Sequence, residues 1–350
     1  MPKIWLRPWI KFTLSFECDS FPNNMKHIVI TGGAGFIGSH LSETLLGKGY
    51  AVTAVDNFVT GRKENLKQAL ENPNMRLLEW DVCKPIPEQR LELLAKHGLH
   101  GVFHFACPAS PVDFDKIPFE ILAVDSEGTK HTVELAMRHN ARYLLASTSE
   151  TYGDPLVHPQ KEDYWGNVST TGPRACYDEA KRFAEAYVST ANRGVGRWPE
   201  GCSKPLNGGM VRIFNTYGPR NRPDDGRIVP EFCMQALQGK PLTIHGDGSQ
   251  TRSFCYVTDL VDGIVRLFES NIKDPVNIGN PVERSVREFA ETVIKLSGSR
   301  STLTSMPARP DDPRKRCPDI TRARTLLGWE PKVSLEEGLA KTLEYFKTCL

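Results

Sequence analysis

Short apolar runs alternate with helical patterns over the first half of the chain. Runs of the length expected for buried strands occupy residues 26–31, 51–55, 75–80, 101–105 and 142–146. Apolar residues at helical spacing follow the first run, and a second helix is predicted over 118–140. Strands that alternate with helices predict an α/β fold with a doubly wound parallel sheet.

A glycine-rich turn joins the first predicted strand to the first predicted helix, with the sequence Gly32-Gly33-Ala34-Gly35-Phe36-Ile37-Gly38. Glycines allow a tight turn and let backbone N–H groups approach a pyrophosphate at a helix N-terminus. Asp56 ends the second strand and can bind both hydroxyls of an adenosine ribose, which favours NAD over NADP. Arg62 is the nearby residue that tempers this preference. A tight turn without a ligand is the alternative.

Hydroxyl and carboxylate side chains follow the strand at 142–146, where Thr148, Ser149 and Glu150 come in succession. Further on, Tyr177 and Lys181 are four residues apart and share one face of a predicted helix. A free phenol titrates near pH 10, and a neighbouring ammonium favours its ionised form. The combination suits proton transfer at a carbinol whose carbon loses a hydride. An amphipathic helix with an exposed lysine is the alternative.

The second half of the chain is less regular. We predict a surface loop over 193–209, then a strand over 210–214, a short strand at 242–244, a strand over 253–257 and a helix over 259–270. Several arginines lie on predicted loops, where they are either solvated or together clamp the phosphates of a nucleotide-linked substrate. The predicted domains are 25–217 for the dinucleotide and 218–350 mainly for the substrate, with 253–271 returning to the first domain.

Composition narrows the class of protein. The 350 residues are 39% hydrophobic and 25% charged, with a formal net charge of +2, so neither nucleic acid nor a membrane surface is expected as a partner. The nine cysteines and nine histidines show no metal-binding spacing, and we predict no metal and a reducing, cytoplasmic location. Residues 1–24 are too interrupted for a membrane span or a secretory signal and are interpreted as a disordered or loosely docked tail.

From about Met25 onward the chain resembles the extended short-chain dehydrogenases that act on nucleotide sugars, and it is most similar to the branch that decarboxylates UDP-glucuronate. The stretches that carry the resemblance are 147–150, 172–179, 212–220, 250–254 and 311–313. The resemblance implies a Rossmann-type domain with a smaller C-terminal α/β lobe. It also implies a homodimer that pairs through two helices of each subunit.

The resemblance further implies roles for individual residues. Tyr177, with Lys181 and Thr148, would take the proton of the sugar 4-hydroxyl while a hydride passes to NAD. The resulting β-keto acid would lose carbon dioxide beside Glu150 and Arg316, and return of the hydride would give UDP-xylose. The implied NAD-binding residues are Gly32, Gly35, Phe36, Ile37, Gly38, Asp56, Asn57, Phe58, Thr60, Gly61, Asp81, Val82, Ala106, Tyr177 and Lys181. The implied substrate-binding residues are Ser149, Asn215, Arg220, Arg227, Gln250, Arg252 and Arg316.

Related activities differ at a few of these positions. The 4,6-dehydratases have Asp-Glu where this chain has Ser149-Glu150, and simple 4-epimerases usually have a small or hydroxyl residue in place of Glu150. The chain also departs from the decarboxylases, which usually have lysines at Glu120 and Ala123 and a tyrosine at Phe114. A UDP-uronic acid 4-epimerase, or a decarboxylase that acts on a related sugar, is therefore the second hypothesis, and an NAD-sensing protein without turnover is the third.

Overall fold

The chain forms a large parallel sheet covered by helices on both faces, with a smaller lobe beside it. The structure is a computed structural model that describes residues 25–307 and 315–350. Two predicted features, the tail at 1–24 and the motif Asp311-Asp312-Pro313, lie outside the described residues.

The strands vary from two to seven residues in length. They are β1 (His27–Thr31), β2 (Ala51–Asp56), β3 (Met75–Glu79), β4 (Gly101–His104), β5 (Arg142–Thr148), β6 (Asn207–Ile213), β7 (Thr216–Tyr217), β8 (Leu242–His245), β9 (Thr251–Ser253), β10 (Cys255–Tyr256), β11 (Pro275–Ile278), β12 (Glu283–Ser285), β13 (Leu303–Met306) and β14 (Lys315–Arg316).

The helices include one that is interrupted by a π-helical turn. They are α1 (Phe36–Gly47), α2 (Leu94–His97), α3 (Pro111–Lys116), α4 (Pro118–Ala123), α5 (Thr129–Arg138), α6 (Ala175–Arg193), α7 (Ile228–Leu237), α8 (Val257–Glu269), α9 (Val286–Ser297), α10 (Thr321–Leu327) and α11 (Leu335–Lys347). The π-helical turn Val124–Gly128 joins α4 to α5, and a 3-10 turn, Ser149–Tyr152, follows β5.

Seven strands form the large sheet in the order β3-β2-β1-β4-β5-β6-β11, and all of its pairs are parallel. This order is that of a Rossmann-type sheet and confirms the predicted fold class. Helices α1 and α8 cover one face, and α5 and α6 cover the other. Because both faces are covered, β1, β2 and β5 are buried along their whole length, which explains their nearly continuous apolar sequence.

The smaller lobe contains three small sheets: β7 with β10, β8 with β13, and the three-stranded sheet β12-β9-β14. Helices α7, α9 and α11 pack against one another in this lobe. The chain returns to the large sheet through α8 and then β11, whereas the predicted return comprised only 253–271.

Two predicted boundaries are wrong. Asn207–Gly209 belongs to β6 instead of the surface loop, because its glycines fit where a side chain would collide: a Cβ on Gly209 would lie 2.8 Å from Arg142 Nη2. The single strand predicted over 253–257 is split between β9 and β10, which belong to different sheets. Phe254 lies between them and stacks on Phe289, with ring centroids 4.1 Å apart.

Within the described residues, none of the helices combines the length and the apolar character needed to cross a membrane. The eight cysteines of the same residues are all free thiols.

Candidate active site

A cleft of about 580 Å³ lies at the carboxyl ends of the large sheet's strands, between the two lobes. Gly32, Asp56, Ala106 and Thr148 line it from the ends of four different strands. Every predicted site residue lines this cleft except Phe58, which packs against the core and donates its backbone N–H to Asp56 Oδ1 at 2.9 Å. The parallel sheet therefore brings together nearly all the residues that the sequence singled out.

The glycine-rich turn lies at the first of these strand ends. Gly32 has φ of +67°, and a Cβ there would lie 2.5 Å from the carbonyl oxygen of Phe105. Gly35 is the N-cap residue before α1, and no side chain caps the helix or places a carboxylate in its first turn. The first backbone N–H groups of α1 thus border the cleft without a competing anion, which is the arrangement that binds a phosphate.

Asp56 supports this turn from the end of β2. Its Oδ2 accepts the backbone N–H of Ala34 and its Oδ1 accepts that of Phe58, both at 2.9 Å. Burial raises the pKa of Asp56, and these backbone donors oppose the rise. Arg62 does not line the cleft, because its guanidinium donates to the hydroxyl of Tyr345 in α11. The cation that tempered the preference for NAD is therefore engaged elsewhere.

Tyr177 and Lys181 project from α6 into the middle of the cleft. The Tyr177 ring stacks on Phe114, with centroids 5.1 Å apart, and Lys181 Nζ lies 5.8 Å from the centroid of the Tyr177 ring. Burial raises the pKa of Tyr177; the Lys181 ammonium and the Thr148 hydroxyl oppose this rise without cancelling it, so the net pKa is raised. The Thr148 hydroxyl also accepts the backbone N–H of Glu150 at 3.2 Å. Phe114, one of the predicted departures, is thus in direct contact with the proposed base.

Asp125 holds Lys181 in place, and the sequence analysis did not identify it. Lys181 Nζ donates to Asp125 Oδ1 at 2.9 Å and to the carbonyl oxygen of Ala146 at 3.1 Å. Burial lowers the pKa of Lys181, but the Asp125 carboxylate, together with Cys107 and Tyr177, outweighs burial and the net pKa is raised. Asp125 lies in the π-helical turn and is fully buried. An acidic residue one turn after the buried Ile121 was the available signal.

Glu150 is the centre of a buried charged cluster. Arg316 grips it in a bidentate pair, with N···O distances of 2.6 and 2.7 Å, and Arg174 approaches its Oε2 at 2.8 Å. Burial opposes ionisation of Glu150, but the two guanidiniums lower its pKa to about 2. Arg174 was quoted in the resemblance without a role, and the structure adds it to the cluster.

Asp178 is the second carboxylate of this cluster. Its Oδ2 lies 3.7 Å from Arg174 Nε, and its buried Oδ1 has no hydrogen-bond partner among the described residues. Burial and the neighbouring Glu150 raise the pKa of Asp178 to about 7. The cluster therefore contains one carboxylate that is always ionised at neutral pH and one that titrates there.

The residues predicted to face the nucleotide line the cleft from the second lobe, and most are held by neighbours. Arg220 pairs with Glu43 at 2.7 Å, and Arg227 Nη2 pairs with Asp225 at 2.8 Å. Further contacts are Gln250 Nε2 to the His245 carbonyl at 2.6 Å and Arg252 Nη1 to the Thr251 carbonyl at 2.8 Å.

The remaining departures, Glu120 and Ala123, line the cleft where the decarboxylases usually have lysines. Lys116, a lysine close to both positions in the sequence, is exposed and does not line the cleft.

A Rossmann-type sheet, a glycine-rich turn and a Tyr-Lys pair in one cleft define the dehydrogenase-like class of nucleotide-sugar enzymes. The family model described as GDP-mannose 4,6 dehydratase matches residues 29–342, and the chain belongs to this family of extended short-chain dehydrogenases.

Similar proteins locate the chain more closely within the family. UDP-glucuronic acid decarboxylase 1 of Danio rerio is 49% identical over 341 residues, which is 96% of this chain and 77% of the relative. UDP-glucuronic acid decarboxylase 1 of Arabidopsis thaliana is 48% identical over 320 residues, or 91% of this chain and 69% of the relative.

A solved structure, UDP-glucuronic acid 4-epimerase of Bacillus cereus with UDP-glucuronic acid and NAD, matches with a TM-score of 0.80 and 27% identity. The match covers 93% of this chain and all of that one. These comparisons confirm the resemblance to nucleotide-sugar enzymes and to the decarboxylases among them.

Proposed function

We propose that the protein decarboxylates UDP-glucuronate to UDP-xylose with NAD that is recycled in each turnover. The observation that carries this proposal is the buried Glu150–Arg316 pair, which lines the same cleft as Tyr177. A simple proton and hydride exchange at carbon 4 needs Tyr177, Lys181 and a cofactor, but it gives no reason for a charged pair at this position. A substrate carboxylate gives a reason for this charged pair, because guanidiniums bind carboxylates with matching geometry.

The chain's own residues fit NAD. The uncapped start of α1 and the close turn at Gly32 suit the pyrophosphate, Asp56 suits the adenosine ribose, and Asp81 and Val82 border the space for adenine. NAD held by these residues would supply the hydride acceptor for carbon 4 of the sugar and the hydride donor for the return step. Among the residues that line the cleft, Asp56 also disfavours the additional phosphate of NADP by charge repulsion.

Tyr177 is the proposed base for the 4-hydroxyl. Its phenolate needs stabilisation inside the cleft, and the buried Lys181 ammonium supplies a fixed positive charge. The Thr148 hydroxyl can share the substrate proton with Tyr177. The same proton then remains on Tyr177, where it stabilises negative charge on the oxygen at carbon 4.

Oxidation at carbon 4 makes the uronic acid a β-keto acid. As carbon dioxide leaves, the electrons of the broken bond flow into the 4-carbonyl, next to the Tyr177 hydroxyl. Carbon 5 must then receive a proton. Solvent water is the proposed source of that proton. Arg316 and Arg174 lower the pKa of Glu150, so Glu150 is proposed to orient the ring and this water.

Incubation with UDP-glucuronate and a catalytic amount of NAD tests this function. Mass spectrometry should detect a UDP-pentose that has lost the mass of carbon dioxide, and no net NADH should accumulate. A new isomer of unchanged mass would establish a 4-epimerase instead, which is the activity that the Bacillus cereus neighbour's name describes. Tyr177→Phe serves as the inactive control.

The second lobe is proposed to bind the UDP moiety through Asn215, Arg220, Arg227, Gln250 and Arg252, which line the cleft on that side. Replacing Arg252 by methionine should raise the KM for UDP-glucuronate more than it lowers kcat, because the diphosphate binds equally in the ground and transition states. A change confined to kcat would contradict this role.

A homodimer is the proposed assembly. Three large apolar side chains are exposed on two helices that pack together: Phe119 and Leu122 on α4, at 79% and 40% exposure, and Phe183 on α6, at 47%. Burial of such side chains at a subunit interface would stabilise a dimer. Sedimentation analysis should give twice the chain mass, and Phe119→Ser should weaken the association. A monomer at micromolar concentration would contradict the proposal.

A further inference from the structure

Three side chains that can bind a metal meet outside the cleft. His158, Glu283 and Cys317 come from distant parts of the chain, and their ligating atoms lie within 4.8 Å of one another. His158 Nε2 is already 2.8 Å from Glu283 Oε2. The sequence analysis predicted no metal because it searched for short spacings, and this group has none.

The surrounding hydrogen bonds hold the three ligands in position. The hydroxyl of Thr251 donates to Glu283 Oε1 at 2.6 Å, which fixes the carboxylate from behind. Gln160 joins the loop of His158 to Cys317: its backbone N–H donates to the Cys317 carbonyl at 2.9 Å, and its Oε1 accepts the Cys317 N–H at 2.8 Å. Such outer contacts are typical of ligands that are oriented for a metal.

We propose that His158, Glu283 and Cys317 form a binding site for Zn²⁺ or a chemically similar cation, with water as the fourth ligand. One thiolate, one imidazole and one carboxylate form a set that suits Zn²⁺, whereas Mg²⁺ and Ca²⁺ prefer oxygen ligands only. On binding, the thiol proton of Cys317 passes to solvent and the metal–sulfur bond replaces it.

The site connects elements that carry the charged cluster. Cys317 directly follows Arg316, whose guanidinium grips Glu150. Glu283 lies on β12, which pairs with β9 so that Arg284 faces Arg252, and β14 pairs with the other edge of β9. His158 belongs to the loop that follows Glu150. A bound cation therefore joins both outer strands of this sheet to the loop of the first lobe.

Cobalt is the probe for the test, because Co²⁺ takes Zn²⁺ sites and its thiolate bond gives a charge-transfer absorption band. Co²⁺ is titrated into the full-length protein after treatment with a chelator. We expect one equivalent to produce the thiolate band, Cys317→Ser to abolish it and His158→Gln to weaken binding. Cys202→Ser is the matched control, since Cys202 lies outside this group and should leave the band unchanged.

A second measurement covers the case in which Cys317→Ser fails to fold. Thr251→Val removes the hydroxyl behind Glu283 and should weaken Co²⁺ affinity roughly 10–100-fold, as loss of an outer partner usually does. Absence of the thiolate band in the wild type, its persistence in Cys317→Ser, or unchanged affinity in Thr251→Val would each overturn the proposal. The three side chains would then form only a hydrogen-bonded ion pair beside a thiol.

Discussion

Replacing Asp125 by asparagine tests the Tyr177–Lys181 chemistry through a residue that does not line the cleft itself. The substitution keeps the shape of the side chain but removes the charge that faces the buried Lys181 ammonium at 2.9 Å. Loss of one partner of a buried ion pair costs about 3–5 kcal/mol. We expect a loss at the lower end of this range, because the Ala146 carbonyl remains as a hydrogen-bond acceptor for Lys181. For a chain of this size that corresponds to a melting temperature roughly 4 °C lower.

The effect on the reaction is separate from the loss of stability. Without Asp125, burial is opposed only by the smaller effects of Cys107 and Tyr177, so the pKa of Lys181 falls and its positive charge beside Tyr177 is weakened. A charge 5.8 Å from the Tyr177 ring contributes about 3 kcal/mol at an effective dielectric constant of about 20. In the plot of kcat against pH, the acidic limb should therefore move up by as much as about two pH units, the value for complete loss of this charge. Turnover at pH values below the limb should be up to roughly 100-fold slower.

The assay is kcat against pH, with thermal unfolding measured on the same samples. Asp259→Asn is the control, because Asp259 is also buried but accepts the backbone N–H groups of Lys332 and Val333, far from the cleft. It should lose stability without a change in the pH profile. An Asp125→Asn protein that is less stable but keeps the wild-type profile would refute the role of the ammonium in stabilising the phenolate.

Three further substitutions test the charged cluster and the base. Arg174→Met removes one of the cations that hold the pKa of Glu150 near 2. The stability from ionised Glu150 is present above its unfolded pKa and is lost on acidification, so the pH midpoint of acid unfolding should rise. An unchanged midpoint would contradict the pairing. In the wild type, the KM for UDP-glucuronate should increase above about pH 7, where ionised Asp178 cancels the cluster's net positive charge. Asp178→Asn should flatten this increase. A wild-type KM that is constant across this range would argue against the role of Asp178. Tyr177→Phe should abolish turnover, while NAD binding measured by calorimetry should stay nearly intact. Turnover close to that of the wild type would refute the assignment of Tyr177 as the base.

The sequence predicted the Rossmann-type sheet well because its strands are buried on both faces and punctuated by glycines. Gly32 and Asp56 could be recognised because they are tied to a local strand–turn–helix pattern. The start of β6 at Asn207 could not be recognised, because the two glycines that follow it have the composition of a loop whether or not they pack against Arg142. The strand β11 is only four residues long and lies in the irregular half of the chain, so no periodic pattern marked it.

One physical reason explains why the sequence analysis missed two residues of the site. Asp125 and Arg174 act through contacts with residues far along the chain, and a charged side chain on a helix looks the same in sequence whether it is solvated or paired. Arg62 illustrates the converse, because its proximity to Asp56 in sequence suggested a phosphate contact that its bond to Tyr345 replaces.

The separation of Glu150 from Arg316 also bears on how the protein is made. The two residues are 166 positions apart, so at roughly 5–20 residues per second the ribosome supplies the second about 8–33 seconds after the first. The residues of strand β5 and of the Ser149–Tyr152 turn have been synthesised long before that time. Arg174 follows Glu150 by only 24 residues and is available as the first counter-charge in the nascent chain. In the order of synthesis, Glu150 therefore has one counter-charge soon after it is made, and Arg316 completes the cluster while α10 and α11 have yet to follow.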